Sequence, residues 1–137
     1  MKKLYKPIGV YVMTIIDFLF FGLVPLIGVV WTAQITSESE IPYWAIVVKI
    51  CLSIFTMGAA VWAWTGENIG RWVLLTVVTF NLSWIILNCS LNAFGENIET
   101  SIRITCFSWI IRSCFWLIVN WSYFNKMDVR DYYKQNS

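Results

Sequence analysis

Three ionisable residues interrupt long apolar stretches of the sequence: Asp17, Lys49 and Arg112. A charged side chain at the centre of a lipid bilayer costs roughly 2.5–3.5 kcal/mol on insertion scales, so each of these groups requires a polar partner. With a rise of about 1.5 Å per residue, Asp17 and Arg112 fall at similar depths, near the middle of their stretches. The sequence therefore predicts an ion pair between Asp17 and Arg112 within the membrane.

Further polar side chains recur at helical spacing in the two later apolar stretches. Asn81, Asn88 and Asn92 follow one another at intervals of seven and four residues, which places them within about 40° on one helix face. In the last stretch four polar residues follow one another at intervals of four, three and four: Ser101, Thr105, Ser108 and Arg112. We predict that these groups meet in a polar seam inside a helix bundle, with its middle formed by Asp17, Asn81 and Arg112, its outer end by Lys49, Asn88 and Asn92, and its fourth-helix side by Ser101, Thr105 and Ser108.

Such a seam is compatible with three roles. Polar side chains on helix interiors serve as packing contacts through interhelical hydrogen bonds, a purely structural role. Alternatively, the seam forms a path for an ion, a proton or a small solute, or a ligand pocket. The third role is contact with the helix of a partner protein. An Asp17 carboxylate held by Arg112 would be poorly suited to release and rebind a proton, which argues against proton coupling.

The composition removes support for most enzymatic chemistry. The chain contains no histidine, which is the commonest metal ligand and the usual acid–base group near neutral pH. Its four cysteines all lie in apolar stretches and form no CxxC pair, and no nucleophile–base pair is recognisable. We therefore expect no metal, no cofactor, no nucleic-acid partner and no catalytic activity.

The apolar stretches define the expected fold class. Apolar residues make up 58% of the 137 residues and charged residues 13%, compared with about 25% charged in soluble domains. Because the connectors are short, neighbouring helices must run antiparallel. The sequence thus predicts an all-α transmembrane up-down four-helix bundle that forms a single membrane domain. Its four segments of roughly 20 or more residues are predicted at about 8–33, 43–65, 72–94 and 104–125.

Basic residues decide the expected orientation. The first and third connectors carry four glutamates, and the positive-inside rule then places both termini in the cytoplasm. The charged segment 126–134 is most simply a solvated tail, and the alternative is a helix that lies on anionic lipid. Seven basic residues would lie on the cytoplasmic side: Lys2, Lys3, Lys6, Arg71, Lys126, Arg130 and Lys134.

Three short patches resemble a loose family of small, uncharacterised bacterial four-helix membrane proteins. Lys6-Pro-Ile-Gly-Val10 is similar to the family's RPxGV entry into the first helix. Trp64-Thr-Gly-Glu-Asn-Ile-Gly-Arg-Trp72 is similar to its glycine-and-basic turn between the second and third helices. Tyr123-Phe-Asn-Lys-Met-Asp-Val-Arg-Asp-Tyr132 resembles its YLxRPxVRxYF ending, with Met127 where proline is usual. The resemblance implies a multi-pass protein of the bacterial cytoplasmic (inner) membrane and supplies no catalytic residues.

These observations favour a non-enzymatic membrane protein with a structural, regulatory or partner-binding role. Its expected partners are the lipid bilayer and either a second copy of the chain or another membrane protein. The alternative is a small transporter or channel that uses the polar seam of Asp17, Asn81 and Arg112. A four-helix chain would then need to dimerise.

Overall fold

The described part of the chain is almost entirely helical. The computed structural model describes residues 6–35, 43–95 and 99–135, with the side chains of 31–35 and of Asn92 outside the described set. These three ranges contain no strand, and the predicted all-α class is confirmed. The elements are α1 (Ile8–Asp17), a π-helical turn (Phe18–Leu23), α2 (Val24–Ile35), α3 (Tyr43–Thr65), α4 (Asn68–Ala93), α5 (Thr100–Phe124) and α6 (Met127–Gln135).

Among the described residues, four helical segments are long and apolar enough to cross a membrane: Ile8–Val30, Tyr43–Thr65, Asn68–Leu91 and Thr100–Phe124. They contain 23, 23, 24 and 25 residues, or about 34–38 Å of helix, which exceeds the roughly 30 Å hydrocarbon core of a bilayer. The third and fourth begin about four residues earlier than predicted, because a polar first turn continues the helix beyond its apolar part. This is a multi-pass membrane protein with a four-helix bundle.

Contacts at one end of the bundle establish the up-down topology. The Lys6 ammonium donates a hydrogen bond to the Trp64 carbonyl near the end of α3. Arg71, in the first turn of α4, donates to the Phe124 carbonyl at the end of α5 (3.1 Å). We call this the terminal end of the bundle, since the described residues nearest both chain termini lie there. Between helices, α4 packs most extensively against α5 and α3, and α3 also packs against the first span.

The first span is interrupted by the π-helical turn Phe18–Leu23, in which hydrogen bonds shift to i→i−5 register. Pro25 follows this turn and has no N–H to donate to the carbonyl four residues earlier, that of Phe21. The Asn81 side chain of α4 donates to this carbonyl instead (3.3 Å). A proline within a membrane span is tolerated where a neighbouring helix satisfies the freed backbone group in this way.

The buried apolar core lies mainly in the half of the bundle nearest the terminal end. In α3 all buried residues lie between Ser53 and Ala63, and none lies in the first ten residues of the helix. The small side chains of Ala59 and Ala63 lie one turn apart, a spacing that lets neighbouring helices approach closely. The core consists of Val10, Met13, Phe21, Ala59, Ala60, Ala63, Leu74, Leu75, Val78, Leu82, Phe124, Val129, Tyr132 and Tyr133.

The C-terminal segment is a helix that packs against the bundle. In α6 the residues Val129, Tyr132 and Tyr133 are buried, and their i, i+3, i+4 spacing forms an apolar stripe on one face. The prediction of a solvated tail is therefore wrong. The high proportion of charged residues in this segment favoured a solvated tail. Three apolar or aromatic residues at helical spacing are nevertheless enough to pack this short helix against α4 and α5.

The turn between α3 and α4 brings their backbones into contact. Gly66 has φ +91°, a left-handed conformation that glycine adopts at no steric cost. A Cβ built on Gly70 would lie 2.7 Å from the carbonyl carbon of Trp62, closer than real Cβ atoms approach. Any larger residue at Gly70 would force α3 and α4 apart at the terminal end.

Candidate functional site

Asp17 is the most deeply buried ionisable group among the described membrane-spanning residues. It lies at the end of α1, immediately before the π-helical turn, and is 0% exposed. The Asn120 side chain of α5 lies beside its carboxyl. Within the described ranges, however, neither carboxylate oxygen reaches a hydrogen-bond partner. A buried acid without a counter-ion is costly, so this site carries either strain or function.

Asn120 is the site residue that the sequence analysis missed. Its Nδ2 donates to the Trp116 carbonyl one turn earlier (3.2 Å), and its buried Oδ1 has no partner in the described part of the chain. A sequence signal for it existed, because Cys106, Ser113 and Asn120 recur every seven residues and are all buried. That inward stripe of small and polar residues competed with the longer polar stripe that starts at Ser101.

Arg112 does not meet Asp17. Its side chain is exposed on α5, where the guanidinium carbon lies 5.8 Å from the centre of the Trp109 ring. The next residue, Ser113, is buried. Successive residues of an α-helix point about 100° apart, so Ser113 facing inward turns Arg112 away from the bundle. The predicted ion pair between Asp17 and Arg112 is therefore wrong.

The other polar residues on this face of α5 also point outward. Ser101, Thr105, Ser108 and Arg112 are all exposed, and we call these four residues the outer polar stripe. The Thr105 hydroxyl donates to the Ser101 carbonyl within the helix (2.9 Å). In its most apolar stretch α5 has 11% of residues buried, compared with 33%, 22% and 28% in the other three spans. The predicted spacing was right, but the stripe lies on the outside of the bundle.

The remaining members of the predicted seam lie apart from Asp17. Asn81 is half-buried and bonds to the Phe21 backbone. Asn88 is exposed and donates to the Trp84 carbonyl of its own helix (2.8 Å). Lys49 is exposed on α3, and the Asn92 side chain lies outside the described residues. The described members of the seam therefore form no continuous interior path.

Asn81→Ala is expected to lower the free energy of unfolding by about 1–3 kcal/mol, because it leaves the Phe21 carbonyl without a donor. In a Pro25→Ala background the backbone N–H of residue 25 can bond to that carbonyl, so the same substitution should have a much smaller effect. The four proteins of this double-mutant cycle can be compared by denaturant titration in detergent.

Thr76→Ala serves as the matched control for that cycle. Its hydroxyl is exposed and donates to the Trp72 carbonyl within α4 (2.9 Å), so its effect should be small and equal in both backgrounds. An undiminished cost of Asn81→Ala in the Pro25→Ala protein would show that Asn81 acts by some other contact.

A second polar cluster holds the terminal end together. Arg71 is 2% exposed, and its guanidinium carbon lies 4.9 Å from the centre of the Trp72 ring and 5.8 Å from that of Tyr133. Its bond to the Phe124 carbonyl satisfies one of the unpaired carbonyls at the end of α5, where the helix dipole also favours a cation. The sequence analysis placed Arg71 on the cytoplasmic side, just before the third span predicted at 72–94, and the structure makes it a buried residue of α4.

Tyr133 likewise satisfies a backbone carbonyl near the end of α3. Its hydroxyl donates to the Ala63 carbonyl (2.9 Å). Burial raises the pKa of Tyr133, the neighbouring Tyr132 raises it further, and Arg71 opposes both effects. The hydroxyl therefore stays protonated at neutral pH and remains available as a donor. Together, Arg71 and Tyr133 make the terminal cluster a structural brace.

The described side chains offer little for catalysis or metal binding. Over residues 6–35, 43–95 and 99–135, no group of three or more His, Cys, Asp or Glu side chains is placed to hold a metal ion. The charged groups that lie away from the ends of the described spans are Asp17 in the interior and Lys49 and Arg112 on outer faces. Lys49 lies six residues from the start of its span, from which a long side chain can reach the interface, whereas Arg112 lies at the centre of its span.

No protein-family model, curated protein or solved structure matches this chain. The likeness to small bacterial four-helix membrane proteins therefore rests on the three sequence patches.

Proposed function

We propose that this protein is a non-enzymatic, partner-binding component of the bacterial cytoplasmic membrane, with both termini in the cytoplasm. It binds a different membrane protein through the outer polar stripe of α5. The observation that supports this most directly is the exposed position of Arg112 at the centre of a membrane span. The cytoplasmic orientation is supported by the basic residues that accumulate at the terminal end.

The depth of Arg112 makes a lipid-facing position unfavourable. Twelve residues separate it from Thr100 and twelve from Phe124, the two ends of the span, which corresponds to about 18 Å in each direction. Long basic side chains reach the interface by snorkelling only from positions near helix ends. The cost of exposing arginine to hydrocarbon at mid-depth runs from roughly 2.5–3.5 kcal/mol on insertion scales to 10–17 in simulations. A protein partner on this face would remove that cost.

The sequence argues against a second copy of the chain as this partner. Of its eight acidic residues, Asp17 is the one within a membrane span, and its side chain is fully buried. Two copies that met through this face about a two-fold axis would bring their Arg112 side chains together at the same depth, and like charges repel. The complementary charge therefore comes from a different protein.

The alternative of a small transporter or channel lacks a geometric basis. It depended on Asp17, Asn81 and Arg112 lining one path. Asp17 is buried beside Asn120, Asn81 bonds to the Phe21 backbone, and Arg112 faces outward. Partner binding needs no such path.

Site-specific photo-crosslinking in native membranes tests the proposal. A photoreactive residue at Ile111 (68% exposed, next to Arg112) is expected to give a discrete adduct with a different membrane protein. The same residue at Phe55 on α3 (67% exposed) should give none. Arg112→Leu should abolish the Ile111 adduct, because it removes the charge that fixes the partner.

Two results would contradict the proposal. An adduct with twice the mass of this chain would identify a second copy as the occupant. Lipid adducts alone at Ile111, unaltered by Arg112→Leu, would show that the outer polar stripe faces the bilayer.

A further inference from the structure

We infer that the partner segment is a transmembrane helix that carries an aspartate or glutamate at mid-depth, and that this carboxylate pairs with Arg112. The inference rests on the proposed function and specifies the chemistry of its partner. Three features of the outer face of α5 support it: the shape of the groove, the depth of the charge and the small side chain beside it.

The outer groove on α5 is nearly flat, and all of its lining residues belong to one face of α5 itself: Ile104, Phe107, Ser108, Ile111 and Arg112. These positions follow the pattern i, i+3, i+4, i+7, i+8, which describes one face of a helix that packs along another helix. Its apolar members are exposed: Ile104, Phe107 and Ile111 all lie on the surface of the bundle. A second helix laid along this groove would cover them.

The charge on this face selects a carboxylate. At the centre of α5 the guanidinium of Arg112 presents a planar fork of donors, which matches a carboxylate in bidentate geometry. In the low dielectric of the bilayer a paired carboxylate and guanidinium attract strongly, whereas either one alone is costly. An acid on the partner at the same depth therefore lowers the free-energy cost of the buried charge in both proteins.

Ser108 lies one helical turn from Arg112 and favours close approach. A serine at a helix–helix contact in a membrane lets two backbones come near and can also bond across the interface. A bulkier residue at this position would hold the partner helix, and with it the carboxylate, farther from Arg112.

Anionic lipid is a poor substitute for this partner. Phosphate headgroups lie at the interface, roughly 15 Å or more from the bilayer centre. Arg112 is about 18 Å from either end of its span and is not near a helix end from which snorkelling works. An acidic residue at the middle of a partner helix would lie at the depth of Arg112 and carry the opposite charge.

The test uses the purified full-length protein in vesicles with synthetic transmembrane peptides. A Leu/Ala peptide of about 23 residues with a central Asp is compared with otherwise identical peptides that carry Asn or Leu. Energy transfer between a labelled peptide and labelled protein should report saturable binding of the Asp peptide, at least about tenfold tighter than that of the Leu peptide. Arg112→Leu should reduce binding of the Asp peptide to that of the Leu peptide, while Arg103→Leu, in the first turn of α5, should leave it unchanged.

A charge swap makes the test specific for the pair. Arg112→Asp protein should lose the Asp peptide and gain binding of a peptide with a central Arg. Far-ultraviolet circular dichroism of each variant confirms that the helices remain formed. Equal binding of the Asp and Leu peptides, or binding of the Asp peptide by Arg112→Leu protein, would overturn the inference.

The two proposals can fail separately. An Arg112-dependent heteromeric adduct at Ile111, combined with indifference to the central peptide residue, would retain the proposed function and reject the acidic partner. Loss of both signals would reject both.

Discussion

Arg71→Leu is expected to lower the free energy of unfolding of the detergent-solubilised protein by about 3 kcal/mol. The substitution removes a charged hydrogen bond to the Phe124 carbonyl, which contributes about 1.5–3 kcal/mol. It also removes the contacts of the guanidinium with the Trp72 and Tyr133 rings, each of which adds about 0.5–1 kcal/mol or more when desolvated. The end of α5 would then lose its external donor.

Denaturant titration followed by tryptophan fluorescence measures this effect. Arg71→Lys retains the charge but not the planar fork, and we expect it to recover only part of the loss. Arg103→Leu is the matched control, because Arg103 is exposed and its removal should change stability by less than about 0.5 kcal/mol. A loss for Arg71→Leu no greater than that of the control would show that the terminal cluster does not brace the helices.

Asp17→Asn is expected to raise the free energy of unfolding by about 2 kcal/mol. The wild-type carboxyl is fully buried beside Asn120, and no basic side chain in the described part of the chain forms an ion pair with it. Folding must therefore either bury an unpaired charge or neutralise it, and both are unfavourable. The amide has almost the same shape, carries no charge and can both donate to and accept from the neighbouring Asn120.

Thermal and denaturant unfolding of Asp17→Asn, with the exposed Asp128→Asn as the control, decide this prediction. The sign is the informative part. An ion pair with Arg112, as the sequence predicts, would make Asp17→Asn destabilising, because it would leave a buried cation without its counter-ion. The arrangement in the structure makes it stabilising, and a measured loss of stability would refute that arrangement.

Apolar stretches were sufficient to predict the fold. Hydrocarbon accepts no unpaired backbone groups, so a stretch of more than 20 apolar residues has few structural options besides a helix. Its boundaries were less certain, because α4 and α5 continue past their apolar parts to Asn68 and Thr100. The docking of α6 escaped prediction, since its high charge concealed the stripe of Val129, Tyr132 and Tyr133.

The candidate site was predicted in spacing but not in direction. Helical period shows which residues share a face, yet it does not show which face turns toward the bundle. α5 carries one polar stripe through Ser101 and Arg112 and another through Ser113 and Asn120. The contact between the Phe21 and Trp116 rings, whose centres lie 6.3 Å apart, turns the second stripe inward. Such a contact between distant segments leaves no periodic signal in the sequence.

The role of Asn81 was hidden for a related reason. Its partner is the backbone carbonyl of Phe21, which lies four residues before Pro25, a residue with no N–H to donate in α-helical register. A sequence pattern identifies the proline and the asparagine separately. Their relation depends on the packing of α4 against the π-helical turn.

The close backbone contact at Gly70 is the point about which we expect α3 and α4 to move relative to each other. The backbones of α3 and α4 are in close contact where Gly70 meets Trp62, whereas residues 43–52 of α3 contain no buried side chain. We therefore expect a force on the outer face of α5 to separate the helices more readily at the end of the bundle opposite the chain termini. Docking of a partner at mid-depth would then change the helix positions at the membrane surface opposite the chain termini.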